Sequence, residues 1–287
     1  MLKFMLASRS KPEHTKEHYF FEWGIIHVAL MLTTPTVMST FRRYAQHYVP
    51  DGLEGDLLLF PLSPMAWENM ADHWLETWDD LVLPFKASDY PTRMQPHNFG
   101  DSNFDIQLMT GEELFADDGY YAGGVKLVHF LHRRPDVSPD EFKKKYRAHG
   151  DLLLGNAGGL LRKYVQNTET QGDPEYFRGT LFELGGVNTY AGVEELWFDD
   201  IQAVYEFCAD PDCRAALRAS YEGFVDDGTY SMVVTERVVF DWVTPGHVSP
   251  QAAVLQEGSL EAVVDAQGYT GWWVPGWDKR KSASPSS

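Results

Sequence analysis

Residues 125–154 read VKLVHFLHRRPDVSPDEFKKKYRAHGDLLL, and two periodicities meet inside them. Val125–Leu131 has the period of two that places Val125, Leu127, His129 and Leu131 on one face of a strand and Val128 and Phe130 on the other. Pro135 and Asp136 then mark a turn. Ser138 is an N-cap, Pro139 takes the first helical position, and Glu141 stands three residues after the cap. A helix from there to about Leu154 ends at glycines Gly158 and Gly159, which suit a helix C-terminus. Working outward, Leu160–Asn167 and Gly192–Phe198 read as strands. A helical region follows, interrupted near Pro211, and then a long strand over Tyr230–Trp242. The order is βαββαβ, a ferredoxin-like unit.

A second histidine segment lies about 120 residues earlier. Phe20 and Phe142 each stand seven residues before a histidine, His27 and His149. Each histidine is followed by a basic-basic-Tyr-small-Gln run, Arg42–Gln46 in one case and Arg162–Gln166 in the other. So long a period marks two copies of one domain and not a solenoid. The first copy reads as a strand at Leu2–Ala7, a helix over Lys16–Leu32, strands at Phe41–Tyr48 and Asp56–Phe60, an aromatic-rich helix over Met65–Val82, and a strand near Asn103–Met109. The expected domains are 1–118, 119–245 and a C-terminal extension, 246–287. That extension holds Trp272, Trp273 and Trp277 and a polar, disordered end.

One βαββαβ unit leaves an apolar sheet face bare, because both helices cover the other face. The expected fold is therefore α+β: two ferredoxin-like domains pairing as an intramolecular α+β barrel, with the site in the space between the two sheets.

Composition narrows the function. Lys plus Arg number 24 and Asp plus Glu 42, a net charge of −18. So acidic a chain lacks the basic face that nucleic acid or an anionic membrane requires. Neutral or aromatic small molecules are the expected partners, with the helices left free to form a homodimer. Cys208 and Cys213 are too few for a disulfide framework or a zinc site. With no membrane span and no signal peptide in view, the expected location is cytoplasmic. No HExxH, paired CxxC, GxSxG, Walker A or GxGxxG motif occurs, so neither a metal nor a nucleotide cofactor is expected.

The second copy resembles an EthD-type domain of the dimeric α+β barrel superfamily. The resemblance rests on residues 125–154, on LLRKYVQN, on AGVEELWFDD and on EGFVDDGTYSMVVTERVVF, in that order. The first copy keeps His27 and the RRYAQ run but lacks the RRP turn and the ELWFD strand, and so reads as degenerate. The resemblance implies a cofactor-independent enzyme, a dehydratase, decarboxylase, cyclase or isomerase acting on an aromatic or polyketide-like compound. Relatives that bind haem or use oxygen give an alternative, and a non-catalytic small-molecule-binding protein is another.

Candidate residues follow. His149 and His27 can exchange a proton near neutral pH. Tyr164 and Tyr44, each sharing a strand face with Gln166 or Gln46, can hold a developing oxyanion. Tyr146 lies on the helix face of His149, and His129 and Glu236 are further candidates for substrate contact. A carboxylate in so apolar a run as that around Glu236 has either a raised pKa or a basic partner. His97, in a loop, could complete a site.

Overall fold

A computed structural model describes residues 1–94, 99–101, 104–170, 173–180, 182–183 and 186–244. Its elements run in chain order β1 (Leu2–Ser8), α1 (Lys16–Phe21), a π-helical turn (Glu22–His27), α2 (Val28–Leu32), α3 (Pro35–Thr40), β2 (Arg43–Tyr48), β3 (Asn69–Leu75), α4 (Trp78–Lys86), α5 (Asp89–Met94) and β4 (Asp105–Ala116). The second half continues with β5 (Val125–Leu131), α6 (Pro139–Asn156), β6 (Lys163–Glu169), a two-residue β7 (Gly186–Val187), β8 (Gly192–Phe198), α7 (Ile201–Ala209), α8 (Pro211–Tyr221) and β9 (Tyr230–Asp241). The cap anticipated for α6 is present: the Ser138 hydroxyl accepts from the Glu141 amide at 3.2 Å.

The strands form one closed barrel in the order β1-β3-β2-β9-β5-β8-β6-β4, with β4 returning to β1. All eight neighbours pair antiparallel. This corrects the expectation of two ferredoxin-like domains pairing through their sheets. There is a single sheet, eight of whose strands close the barrel while β7 adds to β4, because β2 hydrogen-bonds to β9 and β4 to β6 across the halves. The physical reason is the edge strands. Four open edges would each expose a row of unpaired backbone groups, and closure removes all of them.

The first half also departs from the sequence reading at two elements. Residues 69–75 form a strand and not part of a helix. Trp67, Met70, Trp74 and Trp78 recur at three- and four-residue spacing and imitate a helix, while β3 is buried on both faces and so has no clean polar-apolar alternation. Residues 56–60 form no strand. Gly55–Leu57 is a 3₁₀ turn, and Leu58 and Leu59 are buried in the core of the second half. In return, Phe177 and Phe182, from the β6–β8 connection, lie in the core of the first half. Each half is thus completed by a loop from the other.

The barrel interior holds a small apolar cluster, with Met5, Met70, Phe130 and Met232 among its members, and a set of buried charges. Two larger cores lie outside the wall, between it and the helices, one per half. Among the described residues no helix is long and apolar enough to cross a membrane. The Trp-rich extension at 246–287 and His97 fall outside the described residues.

Candidate active site

The space inside the barrel, where the sheets were expected to enclose the site, is filled by ionic groups. Lys3 contacts Asp72 at 3.0 Å and also bonds Glu195. Lys126 reaches Glu195 at 2.7 Å, Glu236 at 3.4 Å and the His47 ring at 2.6 Å. The Trp197 indole donates to Glu236 at 2.8 Å and Asn167 donates to Glu195 at 2.7 Å. Burial alone would raise the Glu236 pKa, but Lys126 and His47 overcome it and hold the carboxyl well below its usual range. Glu236 is therefore an ion-pair partner of Lys126, and not a carboxylate of raised pKa.

A pocket lies outside the wall of the first half, between β1, β2, β3 and the helices. It is a cavity of about 420 Å³, within the range of small-molecule sites. Phe4, Phe41, Phe85, Phe99, Phe104 and Phe182 supply aromatic walls. Among the described residues no Lys, Arg, Asp or Glu lines it, and the side chains with polar atoms are those of Ser8, Trp23, His27, Tyr44, His73 and Tyr90. Two sequence candidates, His27 and Tyr44, therefore meet here, although they lie on different elements.

Local structure explains how they are held. Strand alternation turns Lys3 into the barrel and Phe4 outward, and likewise Ala45 inward with Tyr44 and Gln46 outward. His27 closes the π-helical turn, half-buried, with its ring against Phe99 at 5.2 Å. A π turn breaks the usual i to i−4 ladder and leaves carbonyls seeking other donors. Gln46 Nε2 donates to the Trp23 carbonyl at 3.0 Å, and Arg237 to that of Gly24 at 2.8 Å. Gln46 Nε2 also donates to the Tyr44 hydroxyl at 2.9 Å.

His73 was not singled out by the sequence. A ring nitrogen 3.3 Å from the Phe4 carbonyl must carry the proton, so His73 Nδ1 is the donor and Nε2 keeps a lone pair. Burial pulls its pKa down to about 3, only partly offset by the Phe4 carbonyl, so the ring is neutral at pH 7. Its signal was masked by the helical reading of residues 65–82. Burial also pushes the Tyr44 hydroxyl above its usual range, and Tyr44 is a neutral phenol.

The corresponding candidates of the second half are gathered in a closed cluster around Glu194. Tyr164 donates to Glu194 Oε1 at 2.5 Å, and Tyr221 donates to Oε2. His129 Nδ1 lies 3.1 Å from Oε2, and His149 Nε2 lies 3.5 Å from Oε1. His149 Nδ1 faces the Ser220 hydroxyl at 3.0 Å. Burial would raise the Glu194 pKa, but His149, His129 and Tyr164 bring it down to about 2. Phe60, from the first half, packs on His129 and Tyr221 at 5.0 and 4.7 Å. Gln166 Nε2 donates to the Tyr146 carbonyl at 2.7 Å and to the Tyr164 hydroxyl at 2.8 Å. Tyr146 and Gln166 also border a more open groove between α6 and strands β4 and β6. The described residues contain no cluster of three His, Cys, Asp or Glu arranged to hold a metal ion. Cys208 and Cys213 are buried thiols that form no disulfide.

Residues 134–228 match the EthD domain family. No curated protein matches the chain. Among solved structures, an anthrone oxidase-like protein shares 14% identity with a TM-score of 0.50, over 86% of this chain and 96% of its own. A candidate monooxygenase from Lactobacillus acidophilus shares 8% identity with a TM-score of 0.46, over 83% of this chain and 95% of its own. A candidate chlorite dismutase shares 10% identity with a TM-score of 0.46, over 82% and 94%. The likeness to the anthrone oxidase-like protein is one of fold. The EthD match lies in the second half, whereas the cavity lies in the first.

Proposed function

We propose that the protein is a small-molecule enzyme of the lyase or isomerase type, acting on an uncharged aromatic or polyketide-like carbonyl compound in the cavity of the first half. The observation that carries this reading is the meeting of His27 and Tyr44 on one enclosed aromatic cavity without a charged lining residue among those described. Apolar walls select a flat, neutral ligand. In the proposed step, the C–H bond beside the substrate carbonyl breaks and its proton passes to the His27 ring. The electron pair moves into the new C=C bond, and the enolate oxygen is held by the Tyr44 hydroxyl. A proton returned to another carbon gives isomerisation; where the β-carbon carries a hydroxyl, the C–O bond breaks as the enolate electron pair re-forms the C=O and makes the C=C, and the proton held by His27 leaves with the hydroxyl as water. The two halves, 1–118 and 119–245, are read as copies of one unit. The repeated Gln–Tyr–helix-carbonyl bonding supports this.

The test is exchange of the C2 protons of 1-tetralone in D2O, followed by NMR with the purified full chain. The protein should accelerate exchange, and His27→Ala should reduce the acceleration by about 10²-fold or more. Binding of the ketone without exchange would favour a non-catalytic binding protein.

A further inference from the structure

The strand registers of the two halves place Ala71 and Glu194 at matching positions. Gln46 on β2 lies opposite Ala71 on β3, and Gln166 on β6 lies opposite Glu194 on β8. The tyrosine two residues before each glutamine is held in the same way in both halves. Gln46 and Gln166 each donate one bond to their tyrosine hydroxyl and one to a helix carbonyl. The halves differ in what receives the phenolic proton. Tyr164 gives it to Glu194. In the first half the position of Glu194 is Ala71, which lines the cavity. The partners found there for the Tyr44 oxygen, Gln46 and Trp23, are both donors. His73 offers Tyr44 a ring face and not a lone pair: the two rings are stacked, 7° from parallel.

We infer that the ligand supplies the missing acceptor: the cavity selects compounds with a ketone, enolate or phenolate oxygen, seated under Tyr44 in the place that the Glu194 carboxylate fills in the second half. Ala71 is then the specificity-determining residue. Its single methyl group leaves room for a ligand where a longer acid would supply the acceptor from the protein itself. Three features of the second half agree: its tyrosine is satisfied, its carboxylate is saturated with donors, and Phe60 packs over it. A buried donor left without an acceptor costs free energy, so a ligand that ends this deficit gains affinity over an isostere that does not.

This inference rests on the proposed site but not on its chemistry, and the experiment separates them. Binding of 1-tetralone and of tetralin, which lacks the oxygen, is measured on the full chain by quenching of tryptophan fluorescence and by calorimetry. The ketone should bind about tenfold more tightly than the hydrocarbon. Tyr44→Phe should abolish that ratio while keeping tetralin affinity. Ala71→Glu should lose both probes, as the new carboxylate accepts from Tyr44 and fills the ligand's place. If Ala71→Glu does not fold, the ratio in wild type and in Tyr44→Phe decides the matter alone. Equal affinities in the wild-type protein, or a ratio unchanged in Tyr44→Phe, would overturn the inference and leave the proposed reaction standing. A clear ratio without proton exchange would uphold it and sink the proposed reaction. Binding of neither probe would overturn both.

Discussion

Tyr44 and His73 lie face to face across neighbouring strands, with ring centroids 4.7 Å apart and planes within 7°. The stack fixes the imidazole beside the cavity while the Phe4 carbonyl fixes its tautomer. His73 thereby becomes a neutral hydrogen-bond acceptor in the wall and not a titrating acid.

That arrangement has a pH signature. The folded His73 pKa, about 3, lies below the 6.5 of an ordinary histidine. Between these values the unfolded chain binds a proton that the folded chain refuses, so stability falls as pH is lowered through the window. His73→Leu, matching Leu196 of the second half, should flatten the slope by up to about 1.4 kcal/mol per pH unit. Urea unfolding at pH 7, 6 and 5 measures this, and an unchanged slope would contradict a neutral His73.

Glu194 acts in a lower window. Its folded pKa, about 2, lies below the ordinary 4.5, so its contribution is complete above pH 4.5 and is lost as pH falls towards 2. Glu194→Gln should cost about 2 kcal/mol at pH 7, because Tyr164 and Tyr221 lose a charged acceptor. It should also weaken the acid dependence in that range. Exchange of 1-tetralone should be unaffected once the variant is folded. Loss of exchange in a folded Glu194→Gln would move the active site to the second half.

Lys126 is the hub of the barrel interior. Burial lowers its pKa, but Glu195, Glu236 and Asp72 more than reverse this and keep it charged. Lys126→Met would strand three carboxylates around one remaining lysine, Lys3, and should destabilise the protein by about 3–5 kcal/mol. Chemical denaturation gives the value. A loss below about 1 kcal/mol would mean that water reaches the interior.

Leu58 is 2% exposed and sits in the core of the half it does not belong to. Leu58→Ala should cost about 2–5 kcal/mol. The loss should appear as one shifted unfolding transition and not as the early melting of one half, which calorimetry distinguishes.

The second half was legible because its signals agree. The Ser138–Glu141 cap, the break at Pro211 and the alternation of VKLVHFL all survive in the fold. The first half was harder to read. Residues 69–75 are buried on both faces, with Asp72 turned inward to Lys3 and His73 outward to the cavity, so neither face has the polarity that betrays a strand. His27 and Tyr44 were visible as a repeated pair. Their meeting on a cavity was not, because the cavity depends on Ala71, a residue without a chemical signature, and on Phe182, which arrives from about 110 residues further on than Ala71. The ionic filling of the barrel was equally hidden. It joins Lys3 to Glu195 and His47 to Glu236, pairs that only barrel closure brings together.

The crossed loops bear on how the chain reaches this state. Leu58 and Leu59 cannot be buried until residues 125–225 have arranged themselves, and Phe177 and Phe182 have no seat until the first helices are in place. During synthesis the N-terminal half therefore waits, with its cavity roof missing, for a segment that begins about 60 residues after β4 ends. Contacts of such sequence separation slow the search for the native state. A waiting half with open strand edges is also exposed to aggregation. The same loop that shapes the binding cavity is thus a timing device: the cavity can close only after most of the chain has been made.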